Sequence, residues 1–228
     1  MKHIALLTTL LLSASLQAVE KPYDYVFFEN SLMKGDYFYS QAKYTSPSWI
    51  KNARHHLPVA GSVAFTPGNS LELTYVSAPG GDWYSEIQYC PVRGNDFFRE
   101  PSTLSMQVRL RESMNAAALP NIAIRYADST YTQYLNLRNY LKDTRPGVWH
   151  SVSIPLEDFG LNAVNDTNIK KLAAVALRPG TADGNEYTIY LDDIELLPAS
   201  LPSVSALNAP VLQEAKAYER HIDIKWIP

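Results

Sequence analysis

The chain has 228 residues, of which 46% are hydrophobic and 11% aromatic, and its formal net charge at pH 7 is −3. This charge, with no cluster of Lys and Arg to offset it, argues against a nucleic-acid partner. A single cysteine excludes an intrachain disulfide. No segment approaches the roughly 20 apolar residues needed to span a bilayer, so no membrane partner is expected.

The N-terminus has the pattern of a secretory signal peptide. Lys2 and His3 precede an apolar run over residues 4–12, and small and polar residues occupy positions 13–18. We predict cleavage after Ala18, so that residues 1–18 are removed and the protein is secreted or periplasmic. The mature chain is long enough for one domain, residues 19–197, followed by a tail.

Strand-like segments follow one another along this domain, and helical periodicity is nearly absent. Each segment alternates apolar with polar residues or is rich in β-branched and aromatic residues, and turn residues separate the segments. They are residues 25–30, 70–76, 83–89, 104–110, 122–126, 134–138, 148–154, 173–177 and 186–197. The best helical candidate is a single turn at Leu156–Phe159. The pattern predicts an all-β fold, an antiparallel β-sandwich, and the domain length favours a jelly roll over an immunoglobulin sandwich.

The last strand of the domain carries two acidic residues. Alternation places Asp192 on one face with Ile194 and Leu196, and Asp193 on the other face with Glu195. Unpaired charges are costly inside an apolar strand, so at least one carboxylate is expected to have a cation, an Arg or several N–H donors as partner. Because the two side chains point to opposite faces, we do not expect them to act together on one substrate.

The composition changes after this strand. Residues 198–208 are rich in Pro, Ala and Ser, which is typical of a linker. Residues 209–228 contain two further strand-like runs, and the second alternates Ile222, Ile224 and Trp226 with polar residues. Two strands alone are marginal in water, so we interpret this tail as the start of an incomplete second domain.

Two groups of residues are candidates for binding a sugar, which requires aromatic rings for stacking and forked polar groups for the hydroxyls. The first is an outward-facing set on strands: Arg125, Tyr134, Asn136 and Arg138, with Gln107 and Arg109 on a neighbouring strand. The second is a loop set: Trp49, Trp83, Tyr84, Tyr131 and Tyr140. Ordinary packing is an alternative for each residue singly, and we expect Trp149 to be a core residue. The total of 15 Tyr and 4 Trp favours a binding surface.

Two other functions stay open. A glycoside hydrolase would need two carboxylates facing each other across a cleft, and the spacing of the acidic residues does not single out such a pair. A structural spacer would pack on a catalytic domain and bind no sugar. Neither a Gly-x-Ser-x-Gly elbow nor a His-Glu-x-x-His motif is present.

Several of these motifs, in this order, resemble one family of modules. They are Phe28-Glu29-Asn30, the turn 66–70 before Leu71, Gly147-Val148-Trp149-His150, and the strand 189–194. Over residues 22–197 the chain resembles galactose-binding-like jelly-roll carbohydrate-binding modules, as found at the N-terminus of secreted bacterial glucoamylase-like glycoside hydrolases. The tail resembles the first two strands of a fibronectin type III domain, which in such enzymes leads to a C-terminal catalytic domain.

The resemblance implies a non-catalytic module that binds a polysaccharide or oligosaccharide for a glycan-degrading enzyme. It also implies a structural Ca²⁺ where the first and last strands meet. Its side-chain ligands would be Glu29 and Asp192, with Asp193 as a further candidate. Calcium prefers several hard oxygen ligands, which carboxylates and backbone carbonyls provide.

Overall fold

The computed structural model describes residues 25–89, 101–161 and 171–198, together with the backbone of residues 211–217 and 222–227. The predicted signal peptide (1–18), the single cysteine Cys90 and residues 199–208 of the predicted linker lie outside the described residues. No helix in the described ranges is long and apolar enough to cross a membrane.

The described chain is built from strands, and its only helices are three short 3₁₀ turns. The strands are β1 (Tyr25–Phe28), β2 (Ser40–Thr45), β3 (Trp49–Ile50), β4 (Val59–Ala60), β5 (Ser70–Val76), β6 (Asp82–Gln88), β7 (Pro101–Leu110), β8 (Asn121–Tyr126), β9 (Leu135–Asn136), β10 (Trp149–Pro155), β11 (Leu172–Arg178), β12 (Glu186–Pro198), β13 (Val211–Ala217) and β14 (Ile222–Ile227). The 3₁₀ turns are Ala116–Ala118, Leu137–Tyr140 and Leu156–Phe159. The predicted all-β class and the helical turn at Leu156–Phe159 are confirmed.

Two antiparallel sheets form a sandwich. The seven-stranded sheet has the order β10-β7-β12-β5-β3, with β1 also pairing with β12 and β4 with β5. The five-stranded sheet has the order β2-β6-β11-β8-β9, and β13 pairs with β14 separately. The inner faces supply the core, where Tyr75 of one sheet packs on Trp83 of the other with ring centroids 4.8 Å apart.

The turn between β5 and β6 carries the chain from one sheet to the other. A Cβ on Gly81 would lie 2.2 Å from the backbone N of Ser48, so only glycine fits this close approach. The turn at residues 79–82 therefore has a definite role. It brings β6, with Tyr84 and Glu86, into the five-stranded sheet.

Strand β12 does not keep the simple alternation that the sequence predicted. Its register against β7 advances three residues from Asp192 to Glu195 while β7 advances two, from Gln107 to Ser105. The extra residue is a β-bulge, and Asp193 adopts a left-handed φ of 46° there. As a result Leu191 and Ile194 both face the core, and the prediction that Asp192 shares a face with Ile194 is wrong.

Two local predictions also need correction. The strand predicted over residues 134–138 contains only Leu135–Asn136, because the Asn136 side chain caps a 3₁₀ turn by accepting a hydrogen bond from the N–H of Arg138. Trp149 is not a core residue. It begins β10 on the outer side of the seven-stranded sheet and is half-buried there.

A tyrosine-rich candidate glycan-binding face and an acidic cavity

The outer side of the five-stranded sheet carries a cluster of aromatic and charged side chains. Tyr84 projects from β6, Arg178 from β11, and Tyr131 and Tyr134 come from the segment that joins β8 to β9. We call these four residues the tyrosine face. All four are partly exposed, so the outer side of this sheet is open to a ligand.

A salt bridge across the middle strand supports the tyrosine face. Glu86 of β6 and Arg125 of β8 lie on either side of β11, and Glu86 Oε2 is 3.1 Å from Arg125 Nε. The two side chains span the small residues Ala174 and Ala176, which are buried although they point outward. Both charged side chains are themselves largely buried, so this bridge is a fixed part of the surface.

The bridge also holds one of the rings. The Tyr131 hydroxyl donates a 2.7 Å hydrogen bond to Glu86 Oε1, which fixes its ring beside that of Tyr134, 6.0 Å away and nearly parallel. Arg178 Nε donates to the Tyr134 hydroxyl at 3.1 Å, and its guanidinium lies 6.0 Å from the Tyr84 ring. The three rings and the guanidinium are therefore connected and held in place before a ligand arrives.

Burial keeps these phenols protonated. Burial, and next the hydrogen bond to Glu86, raises the pKa of Tyr131 to about 12. Burial likewise raises the pKa of Tyr134. Both phenols are thus neutral at physiological pH, and the face presents neutral aromatic rings with hydroxyl and guanidinium groups between them.

The carboxylates of this face are paired with arginines and not with each other. Glu86 faces Arg125, and Asp82 Oδ2 lies 3.3 Å from Arg178 Nη1. A glycosidase pair needs one carboxylic acid and one carboxylate across an open cleft. Each carboxylate here contacts an arginine and the two do not face each other, so the geometry favours binding over hydrolysis.

Part of each predicted sugar-binding set meets on the tyrosine face. Tyr84 and Tyr131 come from the loop set. Arg125 and Tyr134 come from the strand set. Trp83 does not: it is fully buried, and its indole N–H donates to Ser77 Oγ at 2.9 Å. Its prediction as a sugar contact is wrong because Tyr84, the next residue, is the one that alternation turns outward.

The remaining predicted sugar-binding residues lie elsewhere. Trp49 pairs with Val76 in the seven-stranded sheet. Gln107 and Arg109 belong to that sheet too. Strand β7 is therefore not a neighbour of β8, and the prediction that the two strands are neighbours is wrong. The Asn136 amide donates to Leu119 O and Asn121 Oδ1 and serves the local fold.

Two other side chains of the predicted sets follow β9. Tyr140 donates its hydroxyl hydrogen to Asp158 Oδ2 at 2.8 Å, and burial, followed by this hydrogen bond, raises its pKa to about 12. Arg138 is exposed on the 3₁₀ turn that follows β9. Neither residue forms part of the connected cluster around Tyr134.

Two residues that are important for this face, Arg178 and Glu86, were not predicted from the sequence. Arg178 ends β11, where it continues the outward series Ala174 and Ala176, so the period of two in this strand was the available signal. Glu86 shares the outward side of β6 with Tyr84 in the same way. The missing information was which strands are neighbours, because the bridge joins residues 39 positions apart in the chain.

An acidic cavity lies where β1 meets β12, the place where the sequence predicted a structural Ca²⁺. It has a volume of about 170 Å³ and is lined by Val26, Phe28, Glu29, Thr66, Asp193 and Glu195. The pKa of Asp193 is raised by burial, and the nearby Glu29 carboxylate raises it further. These oxygen donors suit a hard cation such as Ca²⁺. Within the described ranges, however, no three Asp, Glu, His or Cys side chains are close enough together to form a complete metal site.

Asp192 has a different environment from its neighbour. Its Oδ2 accepts hydrogen bonds from the backbone N–H groups of Phe65 and Thr66 at 2.8 and 3.4 Å, and its Oδ1 accepts from Asp193 N at 2.9 Å. Burial raises the pKa of Asp192 to about 6 in spite of these donors. The side chain anchors the loop at residues 65–66 to β12, and Asp193 is the residue of the pair that lines the cavity.

Solved structures with the same architecture are carbohydrate-binding modules. The chain matches the family 30 carbohydrate-binding module of a cellulosomal cellulase of Clostridium thermocellum at 17% identity, with a TM-score of 0.55, covering 78% of this chain and 99% of the module. It matches a further crystal structure of a family 30 module at 18% identity and a TM-score of 0.53, over 77% of this chain and 98% of the other. At such low identity these matches establish the shared fold.

The family itself is identified by the sequence. The model of the family described as carbohydrate binding domain 30 matches residues 24–197, which is most of the chain and all of the described sandwich. The match agrees with the predicted β-sandwich and with the open face of rings and guanidinium groups. The chain therefore belongs to carbohydrate-binding domain family 30 and is a non-catalytic carbohydrate-binding module.

Proposed function

We propose that the module binds a β-linked glucan of the cellulose type along the tyrosine face. The observation that carries this proposal is the connected cluster of Tyr84, Tyr131, Tyr134 and Arg178, fixed from below by the Glu86–Arg125 bridge. The glycan class is suggested by the cellulosomal cellulase whose family 30 module has the same fold. Aromatic rings stack on the apolar faces of sugar rings, and Arg178 would donate to sugar hydroxyl groups.

The test is affinity electrophoresis of the chain in gels that contain hydroxyethylcellulose, mixed-linkage β-glucan or xylan. We expect strong retardation by the two glucans, and Tyr84→Ala and Tyr134→Ala are each expected to weaken binding about tenfold, which corresponds to a ring contact of about 1.4 kcal/mol.

Phe38→Ala is the control for that experiment. Phe38 is an exposed aromatic ring on neither outer sheet face, 64% exposed, and its loss should leave retardation unchanged. Retardation that is equal in the parent chain and both tyrosine variants would place the binding site elsewhere. Absence of retardation on both glucans would remove the proposed ligand class.

We further propose that Glu29 and Asp193 hold a structural Ca²⁺ in the acidic cavity, with backbone carbonyls or waters completing the coordination. The bound ion would relieve the repulsion between these carboxylates and link β1 to β12. Asp192 is not needed as a ligand, because three backbone N–H groups already bind it.

Thermal unfolding with calcium and with a chelator tests this metal site. We expect the chelator to lower the midpoint of the parent chain and to leave that of Asp193→Asn unchanged. Asn tolerates the left-handed φ at this position, so the variant removes the charge and keeps the bulge. A midpoint that does not respond to the chelator in the parent chain contradicts the proposal.

The module is proposed to act outside the cytoplasm as the N-terminal part of a glycan-degrading enzyme. The signal-like residues 1–18, the linker composition of 198–208 and the β13–β14 pair within the tail 209–228 support this arrangement. A fibronectin type III domain and a catalytic domain would follow. Mass spectrometry of the exported protein should show the loss of residues 1–18, and retention of those residues would contradict export through this signal.

A further inference from the structure

The outer side of the seven-stranded sheet carries a second ordered row of side chains. Trp149 of β10 is paired with Arg109 of β7, Arg109 with Tyr190 of β12, and Tyr190 with Glu72 of β5. Neighbouring strands are about 4.8 Å apart, so the backbones at Trp149 and Tyr190 lie about 10 Å apart, with Arg109 on the strand between them. All four residues are partly exposed.

A loop extends this row with another ring. The backbone N–H groups of Phe65 and Thr66 bind the buried Asp192 carboxylate, which holds the loop against the sheet. Phe65 is 49% exposed, and its ring packs edge-on against Trp149 with centroids 6.0 Å apart. We call Phe65, Arg109, Trp149 and Tyr190 the tryptophan face.

One polar atom of the tryptophan face has no partner. Arg109 Nε is buried and makes no hydrogen bond. A buried N–H without an acceptor costs about 1–3 kcal/mol. Because this atom is covered, a ligand oxygen would reach it only after the Arg109 side chain turns outward, and that turn would recover the cost. Next to it, Ser151 Oγ donates to Gln107 Oε1 at 3.0 Å, which adds hydroxyl and amide groups to the same surface.

We propose that the tryptophan face is a second binding surface for a neutral β-glucan chain. Its rings offer stacking platforms, and Arg109, Gln107 and Ser151 offer partners for hydroxyl groups. The neighbouring charge of Glu72 is already balanced by Lys51, at 2.5 Å, which leaves the Arg109 guanidinium as the charged donor for the hydroxyl groups of a polyhydroxyl ligand.

This inference rests on the carbohydrate-binding family of the module and not on the location of the first site. The tryptophan face and the tyrosine face belong to different sheets and point away from the core in opposite directions. Because the two faces lie on opposite sides of the sandwich, one glycan chain cannot contact both. A module with both surfaces would hold two chains at once.

Isothermal titration of the full chain with cellohexaose tests the stoichiometry, and NMR reports the location. We expect two sites per chain. The indole N–H signal of Trp149, identified by its absence in Trp149→Phe, should move during the titration. Phe65→Ala, in a loop, and Trp149→Ala should each weaken one site about tenfold and leave the other unchanged. Phe38→Ala serves again as the control.

The two surfaces can fail independently. If Tyr84→Ala abolishes one site and leaves the Trp149 response intact, both proposals hold. If Tyr84→Ala changes nothing and Phe65→Ala removes the only site, the tryptophan face holds and the tyrosine face is wrong. The proposed second surface is contradicted if titration shows a single site that Phe65→Ala leaves unaffected. It is also contradicted if the Trp149 signal changes with protein concentration but not with cellohexaose.

Discussion

Tyr131 shows how much of the proposed binding face depends on one buried carboxylate. Glu86 accepts the hydrogen bond of its phenol and faces Arg125 at the same time. The ordinary pKa of a tyrosine is about 10, and that of Tyr131 is raised to about 12. The stability that its neutral phenol contributes is therefore complete below pH 10 and is lost as the pH rises toward 12.

Replacement of Glu86 by Gln is expected to lower the pKa of Tyr131, because a neutral amide no longer disfavours the phenolate. The measurement is an absorbance titration of phenolate between pH 9 and 12.5, with Tyr131→Phe subtracted in each background to isolate this residue. Tyr140, whose hydroxyl donates a hydrogen bond to Asp158, is the control, and its titration midpoint should not change. The same Tyr131 midpoint in both backgrounds would show that Glu86 has no influence on it.

For individual residues, the sequence indicated which residue types form the binding face. It did not indicate which of those residues are neighbours in the fold. Arg125 and Tyr134 were predicted from outward alternation and Tyr84 as a loop residue, and the three lie together on one face. Trp83 and Trp149 were both misplaced, since the first is in the core and the second is outside it. An aromatic residue beside a turn fits either position, and only the packing of the two sheets distinguishes them.

Strand β11 matters because its outward residues are small. Ala174 and Ala176 leave room for the Glu86–Arg125 bridge to pass above the strand. The bridge thus occupies the space that a longer side chain would take at these two positions.

We expect Ala176→Leu to displace the bridge and Tyr131 with it, and to weaken glucan binding on the tyrosine face about tenfold. Overpacking of this kind typically costs about 1–3 kcal/mol, which a stable domain tolerates. Ser153→Leu adds the same side chain to an exposed position of β10 and should leave binding unchanged. Affinity electrophoresis measures the effect, and parent-like retardation of Ala176→Leu would mean that the bridge does not position Tyr131.

The sequence predicted the position of β12 correctly, but not the face of the sheet on which each of its residues lies. The predicted segment 186–197 agrees closely with Glu186–Pro198. The bulge at Asp193 could not be predicted, because it depends on pairing with β7, which lies some 80 residues earlier in the chain. The carboxylates of Asp192 and Asp193 consequently both face the loop at residues 65–66, where one binds backbone N–H groups and the other the Thr66 hydroxyl.

The described strands from β1 to β12 form one sandwich whose two proposed surfaces share a single core. Trp83 and Tyr75 connect the sheets, and Trp83 is among the largest fully buried side chains. The all-β class and the sandwich followed from the alternation of many strands. Strand order did not, because alternation contains no information about partners.

Trp83→Ala is expected to lower the free energy of unfolding by about 3–5 kcal/mol, the usual effect of removing a buried aromatic ring. Urea unfolding followed by circular dichroism measures this change. Because both faces rest on the same core, binding at both should weaken together as the folded fraction falls. Trp49→Ala, which alters a partly exposed ring at the edge of the seven-stranded sheet, is the control. Equal stability of Trp83→Ala and the parent would contradict the packing.

The bulge in β12 also determines how the module tolerates changes in length. With Asp193 in place, Tyr187, Ile189 and Leu191 point inward before it, and Ile194 and Leu196 point inward after it. The extra residue preserves this pattern, because in a regular strand that kept Asp193 without a bulge, Ile194 and Leu196 would turn toward solvent and Glu195 would enter the core. Deletion of Asp193 would remove the extra residue and leave a regular strand in which Ile194 and Leu196 still face the core, so β12 can lose one residue here without exposing them.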